Sequence, residues 1–211
     1  MALLMTPTLW NSMDWLAKCP PSWKEKAYID LSNMLNRKWT SNPAVERGMA
    51  FEDALCNKKL EKYEIDADLT DKFNAAYEEI HSPDSNFQAK AKKFVMFDNK
   101  EFILYGKIDV KLPNKIIDIK TTGNYRGQGS YLSGWQHKVY CLCEKIADFE
   151  YIVFEFNNLG LLTDVHRISY HVYSFAELEK EVMDKLKSVV EFLRKDNKLK
   201  VAYMKVFNMY N

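Results

Sequence analysis

Residues 106–120 read GKIDVKLPNKIIDIK, and this segment is predicted to form a β-hairpin. Strand-like segments lie on either side of Pro113-Asn114, a pattern typical of two antiparallel strands joined by a tight turn. Proline suits the second position of a type I or II turn. Pairing outward from this turn places Asp109 directly opposite Asp118. A β-bulge that shifts the register stays open as an alternative, because proline excludes the primed turns that hairpins prefer.

Two carboxylates and an amine are predicted to share one face of this hairpin. Lys120 lies two residues beyond Asp118 on the same strand face, roughly 7 Å along it, whereas Ile117 and Ile119 point to the core. Opposed carboxylates repel each other unless a raised pKa or a cation relieves the charge. A hard dication with oxygen ligands, Mg²⁺ or Mn²⁺, is the natural occupant. A solvated strand face remains the alternative, because Asp-x-Lys alone is a common pattern.

The rest of the chain predicts one α/β or α+β domain over residues 1–211, built around a mixed sheet. Residues 1–82 read as mainly helical, 83–173 as a sheet core with an inserted helix, and 174–195 as a closing helix with a Ser174–Glu177 capping box. Helices are predicted at about 9–16, 23–35, 42–60, 69–80 and 130–146. Strands are predicted at about 87–97, 101–110, 115–120, 149–156 and 161–173.

Composition narrows the class of protein. Hydrophobic residues make up 47% of the chain, enough for a core, and no apolar run approaches the roughly 18 residues of a membrane span. The first ten residues do not resemble a secretion signal, so we expect a cytoplasmic protein without membrane association. The net charge of +1 means that nucleic-acid binding would need a local basic surface.

The four cysteines are expected to be free thiols. They stand at positions 19, 56, 141 and 143, and the last two form Cys-x-Cys instead of the Cys-x-x-Cys pairs of zinc sites. A structural metal on these thiols is the alternative that this spacing disfavours.

Residues 106–109 and 116–122 resemble the PD-(D/E)XK nuclease superfamily, most closely its RecB-like and phage exonuclease branches. Glu46-Arg47-Gly48-Met49-Ala50-Phe51-Glu52 is similar to the first motif of that family, although the RecB-like branch often has His where Glu52 stands. Gln136 and Tyr140 resemble its Gln-x-x-x-Tyr motif, and Cys19-Pro20 is similar to the Cys-Pro that opens many RecB-like domains. The resemblance covers about residues 8–140. It implies a restriction-endonuclease-like core, with a central mixed β-sheet flanked by helices and a helical N-terminal region.

The resemblance also implies roles for individual residues. Asp109 and Asp118 would bind the metal with the backbone carbonyl of Ile119, and Glu52 would complete the sphere directly or through water. Lys120 would orient or deprotonate the attacking water and stabilise the phosphate. An ordinary helix-face acid is the alternative for Glu52, with Glu46 as the substitute ligand.

Gln136 and Tyr140 are spaced to share one helix face. They would position Lys120, the Glu52 helix or a substrate phosphate. The alternative for Tyr140 is a core residue.

The segment after Lys120 is a candidate substrate-binding loop. Four of the seven glycines fall between residues 123 and 134, and Tyr125, Arg126 and Tyr131 suit stacking on bases and contact with phosphate. An ordinary flexible loop is the alternative.

The implied function is an Mg²⁺- or Mn²⁺-dependent deoxyribonuclease, an exonuclease of phage or bacterial DNA recombination and repair. DNA is the implied partner, with a single-strand annealing or recombination protein and a homo-oligomer as further candidates. Some family members carry an iron–sulphur cluster on one early and three late cysteines. No such cluster is expected here, because only Cys141 and Cys143 are late. The alternatives are a structure-specific or restriction-type endonuclease, an inactive nucleic-acid-binding member, and an unrelated α/β protein.

Overall fold

Six strands form one mixed sheet in the computed structural model, which describes residues 2–38, 42–63 and 65–207. The strand order is β1-β3-β4-β5-β6, with β2 paired along the other edge of β3. Two neighbouring pairs, β1–β3 and β4–β5, are parallel, and the others are antiparallel. The strands are β1 Ala2–Met5, β2 Asn86–Phe97, β3 Lys100–Lys111, β4 Lys115–Thr122, β5 Asp148–Phe156 and β6 Leu162–His171.

Helices cover both faces of this sheet. They are α1 Pro7–Lys18, α2 Lys24–Leu35, α3 Pro43–Cys56, α4 Thr70–Ile80, α5 Gly129–Leu132, α6 Gln136–Glu144, α7 Phe175–Lys195 and α8 Asn197–Val206. The predicted caps are present, because Asn42 accepts the Val45 amide at the start of α3 and Ser174 accepts the Glu177 amide at the start of α7. Among the described residues, none of these helices is long and apolar enough to cross a bilayer.

Two sequence predictions about elements need correction, and two elements were missed. The helix predicted over 130–146 is two helices, because the chain bends at Gly134, which packs against the Asn11 side chain. The helix predicted to continue to about residue 60 ends at Cys56. The strand β1 and the helix α8 were not predicted.

Two hydrophobic cores lie on opposite faces of the sheet. The first core packs α1, α2, α6, α7 and α8 against one face, around Trp10, Tyr151 and Leu186. The second core packs α3 and α4 against the other face, around Phe51 and Phe154. The mixed sheet between two helical layers confirms the predicted fold class. None of the four cysteines forms a disulfide.

Part-way along the β2–β3 hairpin, the inward side chains switch from one face of the sheet to the other. Asp98 and Asn99 both have positive φ in the connecting turn, as a two-residue primed turn requires. Phe87 and Val110 pack on the second core, whereas their near neighbours Ala89 and Ile108 pack on the first. Regular alternation would put residues two apart on one face, so both strands slip between these positions.

The slip occurs at Gln88 and Asp109. This pair is the one position skipped in the ladder between Asn86 and Lys111, and Gln88 has a left-handed φ of 57°. Backbone irregularities of this kind re-aim side chains and occur next to active sites. Because of this slip, the side chain of Asp109 does not follow the regular alternation of β3.

The β3–β4 hairpin has the predicted register and separates early. The ladder consists of Val110 with Ile117 and Lys111 with Ile116, closed by a 2.8 Å bond from the Leu112 amide to the Lys115 carbonyl. The next pair in this register is Asp109 with Asp118, where ladder pairing has stopped. The strands therefore diverge at the two aspartates.

Candidate active site

Asp109 and Asp118 lie at the point where β3 and β4 separate. Asp109 is 8% exposed and Asp118 is fully buried. Asp109 Oδ2 accepts the backbone N–H of Ile119 at 2.8 Å, and its carboxyl group lies beside that of Asp118. The Ile119 carbonyl points to the same strand edge as its N–H, toward Asp109. The two acids therefore lie opposite each other, as predicted. The Asp109 side chain, and not a backbone carbonyl of β3, accepts the Ile119 N–H.

Burial disfavours the charged forms of both aspartates. Burial, followed by the neighbouring charges of Asp118 and Glu52, raises the pKa of Asp109. Burial also raises the pKa of Asp118, although contact with the Lys120 ammonium opposes the shift. Burial lowers the pKa of Lys120, but the Asp118 and Asp109 carboxylates outweigh it, so the net shift is upward. Lys120 is thus held as a cation beside the two acids.

Gln136 and Tyr140 contact the pair from α6. The Gln136 side-chain amide donates to Asp118 Oδ1 and lies 3.3 Å from the Tyr140 hydroxyl. Tyr140 donates to the Lys107 carbonyl of β3 at 2.9 Å. Gly106 permits this approach, because an added Cβ would lie 2.1 Å from Tyr140 Cε1. Tyr140 is a core residue as well as a neighbour of the site.

Contacts with α1 fix the start of α6. The Trp135 backbone amide donates to Asn11 Oδ1 at 3.1 Å, and its indole N–H donates to Asp14 Oδ2 at 2.9 Å. Lys185 from α7 completes this group through an ion pair with Asp14. These contacts hold the helix that presents Gln136. They join segments more than a hundred residues apart, so no local pattern indicates them.

Glu52 lies near the pair but is directed to another partner. Its Oε1 accepts the Gln88 side-chain amide at 3.1 Å. No group of three or more His, Cys, Asp or Glu in the described part of the chain is arranged to hold a metal ion. Two predicted carboxylate ligands are therefore in contact, and the third is held beside them by Gln88, a residue that the sequence reasoning missed.

Glycine at position 48 lets α3 approach β4. An added Cβ there would lie 2.5 Å from Thr121 Oγ1, so the helix that carries Glu52 can pack directly beside Lys120. A cleft of about 350 Å³, the Lys120 cleft, opens between them and is lined by Asn42, Ala44, Val45, Gly48, Glu52, Ile119, Lys120 and Thr121. Glu52 also faces a neighbouring cavity that contains Gln88 and Asp109.

The donor set fits a hard divalent cation. Asp118 Oδ2 is buried and has no hydrogen-bond partner in the described chain, although the Lys120 ammonium contacts it as an ion pair. Two adjacent buried carboxylates and a carbonyl directed toward them are oxygen donors of the kind that Mg²⁺ and Mn²⁺ take. A dication would also relieve the repulsion that raises the pKa of Asp109.

The predicted substrate loop is held by stacked rings. Tyr125 stacks on His166 with centroids 3.8 Å apart and an angle of 9°, and Tyr131 lies 6.0 Å from Tyr125. Glu155 supports this arrangement by accepting the Tyr125 amide at 3.0 Å and contacting His166 at 2.8 Å. Arg126 is exposed in the same loop. The three predicted residues are thus neighbours, and His166 and Glu155 are additions that the sequence did not indicate.

No protein-family model matches the chain, and no curated protein matches it significantly. Its fold is distantly similar to solved structures. One is SSO0001, with a TM-score of 0.49 and 10% identity over 89% of this chain and 77% of that chain. Another is an alkaline exonuclease from Laribacter hongkongensis, with a TM-score of 0.48 and 14% identity over 90% of this chain and 91% of that chain. The same exonuclease in complex with dAMP gives a TM-score of 0.47 and 15% identity over the same shares of the two chains. Similarity this distant assigns no function to the chain.

Proposed function

We propose that this protein is a divalent-metal-dependent nuclease that hydrolyses phosphodiester bonds in DNA. The observation that carries the proposal is the contact between Asp109 and Asp118, buried together beside the Lys120 ammonium where β3 and β4 separate. A structural role alone would favour an acid–base pair or apolar residues at such a position, because two buried like charges destabilise the fold.

The proposed ligands are Asp109, Asp118 and the Ile119 carbonyl, with Glu52 directly or through water. A bound Mg²⁺ would lower the pKa of a water molecule and offset negative charge on the phosphate. Asp109 is oriented by the Ile119 amide, and Asp118 by Gln136. These hydrogen bonds hold the carboxylates in place before substrate arrives.

Lys120 is the proposed cation for the phosphate. Its ammonium lies beside the carboxylates and keeps its charge there. In that state it can orient the attacking water and stabilise the negative charge that develops on phosphorus-bound oxygens. The stacked loop of Tyr125 and Tyr131, with the exposed Arg126, is proposed to contact the bases and phosphates of the strand.

We propose an exonuclease as the specific activity, on the resemblance of the motifs to the phage exonuclease branch. The test is incubation with end-labelled linear DNA and with closed circular DNA, each with and without Mg²⁺. An exonuclease degrades the linear DNA alone, and an endonuclease of the same fold nicks the circles. If neither DNA changes in Mg²⁺ or Mn²⁺, the proposed nuclease function is wrong.

Asp118→Asn is the variant that assigns the activity to this site. We expect it to slow cleavage by more than about 100-fold, since even residues that only support a metal ligand cost about 10–100-fold when lost. Asp30→Asn, which changes an exposed aspartate on α2, is the matched control and should cleave like the wild type. If Asp118→Asn cleaves DNA at a rate within a few-fold of the wild type, the activity does not belong to this site.

A further inference from the structure

A cavity of about 500 Å³ opens between the first half of α3 and the turn that connects β5 to β6. We call it the aromatic cavity. Its lining residues are Ala44, Arg47, Gly48, Ala50, Phe51, Lys62, Tyr63, Thr121, Thr122, Gly123, Phe156, Asn157, Asn158, Leu159 and Gly160. This volume lies within the range of about 300–1,000 Å³ that is typical of small-ligand sites. None of the roles described above uses it.

The aromatic cavity borders the Lys120 cleft. The two share Ala44, Gly48 and Thr121, and Thr121 directly follows Lys120 on β4. Neighbouring strand residues are about 3.3 Å apart along the strand. A group bound in the aromatic cavity would therefore lie next to a phosphate held at Lys120.

Three aromatic rings form the floor of this cavity. The Phe51 centroid lies 5.0 Å from that of Tyr63 and 4.9 Å from that of Phe156. Phe51 is buried, whereas Tyr63 and Phe156 are half-buried and line the cavity. The Lys62 ammonium lies over the Tyr63 ring, 5.1 Å from its centroid. Aromatic faces of this kind are the platforms on which proteins stack nucleobases.

The rim carries groups that suit a nucleotide. Arg47 and Lys62 are exposed cations, and no carboxylate is among the described residues that line the cavity. Asn158 brings a side-chain amide that can both donate to and accept from the edge of a base. The Asn157 side chain is fixed in its turn, since its Oδ1 accepts the amides of Leu159 and Leu161, and its Nδ2 is the group that can donate to a base.

We propose that the aromatic cavity binds a nucleobase of the DNA strand adjoining the scissile phosphate, by stacking on Tyr63 and Phe156. This inference rests on the proposed nuclease function and extends it to a base-binding subsite. An apolar peptide side chain would suit the floor, but it would make no use of the cations and amides of the rim. A base can stack on the aromatic floor, and the phosphate joined to it through the sugar can contact the cations of the rim.

The test compares DNA ends that carry or lack a base. The full chain is titrated, in EDTA to prevent cleavage, with fluorescent hairpin DNAs that have an abasic site at one of the four terminal positions. The proteins are the wild type, Tyr63→Phe, which keeps the ring, and Tyr63→Leu, which keeps apolar packing against Phe51. Tyr173→Ala, a change at an exposed tyrosine outside the cavity, is the control.

We expect one abasic position to weaken binding of the wild type, Tyr63→Phe and Tyr173→Ala by about tenfold, equivalent to about 1.4 kcal/mol. Tyr63→Leu should bind the intact hairpin and this abasic hairpin with affinities that agree within about twofold. Phe156→Leu repeats the test if Tyr63→Leu fails to fold. Equal abasic penalties in all variants, or no penalty at any position, would overturn the proposal.

The cleavage assay separates this inference from the function on which it rests. If Mg²⁺-dependent cleavage occurs but the abasic penalty does not depend on the ring at position 63, only the base-binding subsite is wrong. If the wild type neither binds nor cleaves DNA, both proposals fail.

Discussion

At the scale of single residues, the position of Asp109 depends on a backbone irregularity at Gln88. The two residues stand opposite each other at the skipped position of the β2–β3 ladder. Gln88 has a left-handed backbone, which costs an L-residue roughly 1–2 kcal/mol. Its side chain donates to Glu52. A strained residue that contacts a candidate ligand is consistent with strain retained for function.

Two substitutions separate the backbone effect at Gln88 from the side-chain effect. Gln88→Ala and Gln88→Gly both remove the amide that holds Glu52, so we expect each to slow cleavage by about tenfold. Gln88→Gly relieves the left-handed strain and should be about 1 kcal/mol more stable than Gln88→Ala. Turnover and urea unfolding measure the two effects. Equal stabilities would show that the backbone is unstrained, and unchanged turnover in both would show that Glu52 does not need the amide.

At the scale of elements, the site exists because β4 leaves β3 and α6 fills the opening. Tyr140 from α6 donates to the Lys107 carbonyl of β3, and Gly106 gives its ring the space to do so. Through Gln136, which contacts both the Tyr140 hydroxyl and Asp118, this hydrogen bond links β3 to the buried acid.

Gly106→Ala tests this packing. The added methyl group would overlap the Tyr140 ring, and overpacking of this kind costs about 1–3 kcal/mol. We expect a lower melting temperature and slower cleavage, since displacement of Tyr140 also moves Gln136 away from Asp118. Gly129→Ala is the matched control, because nothing lies within 4 Å of an added Cβ there. A Gly106→Ala protein as stable as the Gly129→Ala protein would contradict the close contact.

The turn residues alone predicted the hairpins. The elements that depend on contacts between distant segments could not be predicted in this way. Pro113-Asn114 gave the register of β3 with β4, and the same reasoning from Asp98-Asn99 would have placed Gln88 opposite Asp109. The four residues of β1 could not be recognised, because their pairing with residues 101–104 is a long-range parallel contact. The break before α6 was missed because it depends on Asn11, more than a hundred residues away in sequence.

At the scale of the whole molecule, the site lies where one hairpin passes between two cores. The β2–β3 hairpin packs on the first core at Ala89 and Ile108 and on the second at Phe87 and Val110. Asp109 stands at the change of face. Helices from both layers then reach the same point, α3 with Glu52 and α6 with Gln136. The sequence motifs indicated which residues meet there, but not the passage between cores that brings them together.

A buried histidine in the first layer of helices makes stability depend on pH. Burial, with a smaller effect from Lys138, lowers the pKa of His137 to about 4, from about 6.5 in the unfolded chain. Below pH 6.5 the unfolded state binds a proton that the folded state does not, so stability falls as the pH is lowered toward 4. We expect the advantage of the wild type over His137→Gln in free energy of unfolding to shrink by up to about 3 kcal/mol between pH 7.5 and 4.

Urea unfolding of the two proteins across this range measures the difference. The Asp109–Asp118 pair titrates with the opposite sign, since its pKa values are raised, but it is present in both proteins and cancels. A difference that does not change with pH would show that His137 is not held neutral.

The melting temperature in the presence of a divalent ion tests the central claim, that Asp109 and Asp118 form a metal site. An ion that binds only the folded state stabilises it by about 2.7 kcal/mol at a hundredfold excess over its dissociation constant. For a chain of this size, that corresponds to a rise of about 5–10 °C. The measurement compares millimolar Mn²⁺ and Mg²⁺ with Na⁺ at equal ionic strength, which screens charge without occupying the site. Asp109→Asn is the test variant and Asp30→Asn the control.

We expect a rise of several degrees with Mn²⁺, a smaller rise with Mg²⁺, and the same responses in Asp30→Asn. Asp109→Asn should lose most of the rise and melt higher than the wild type without metal, because the substitution removes the repulsion with Asp118. If Na⁺ reproduces the whole shift, or if Asp109→Asn responds fully to Mn²⁺, the two aspartates do not form a metal site.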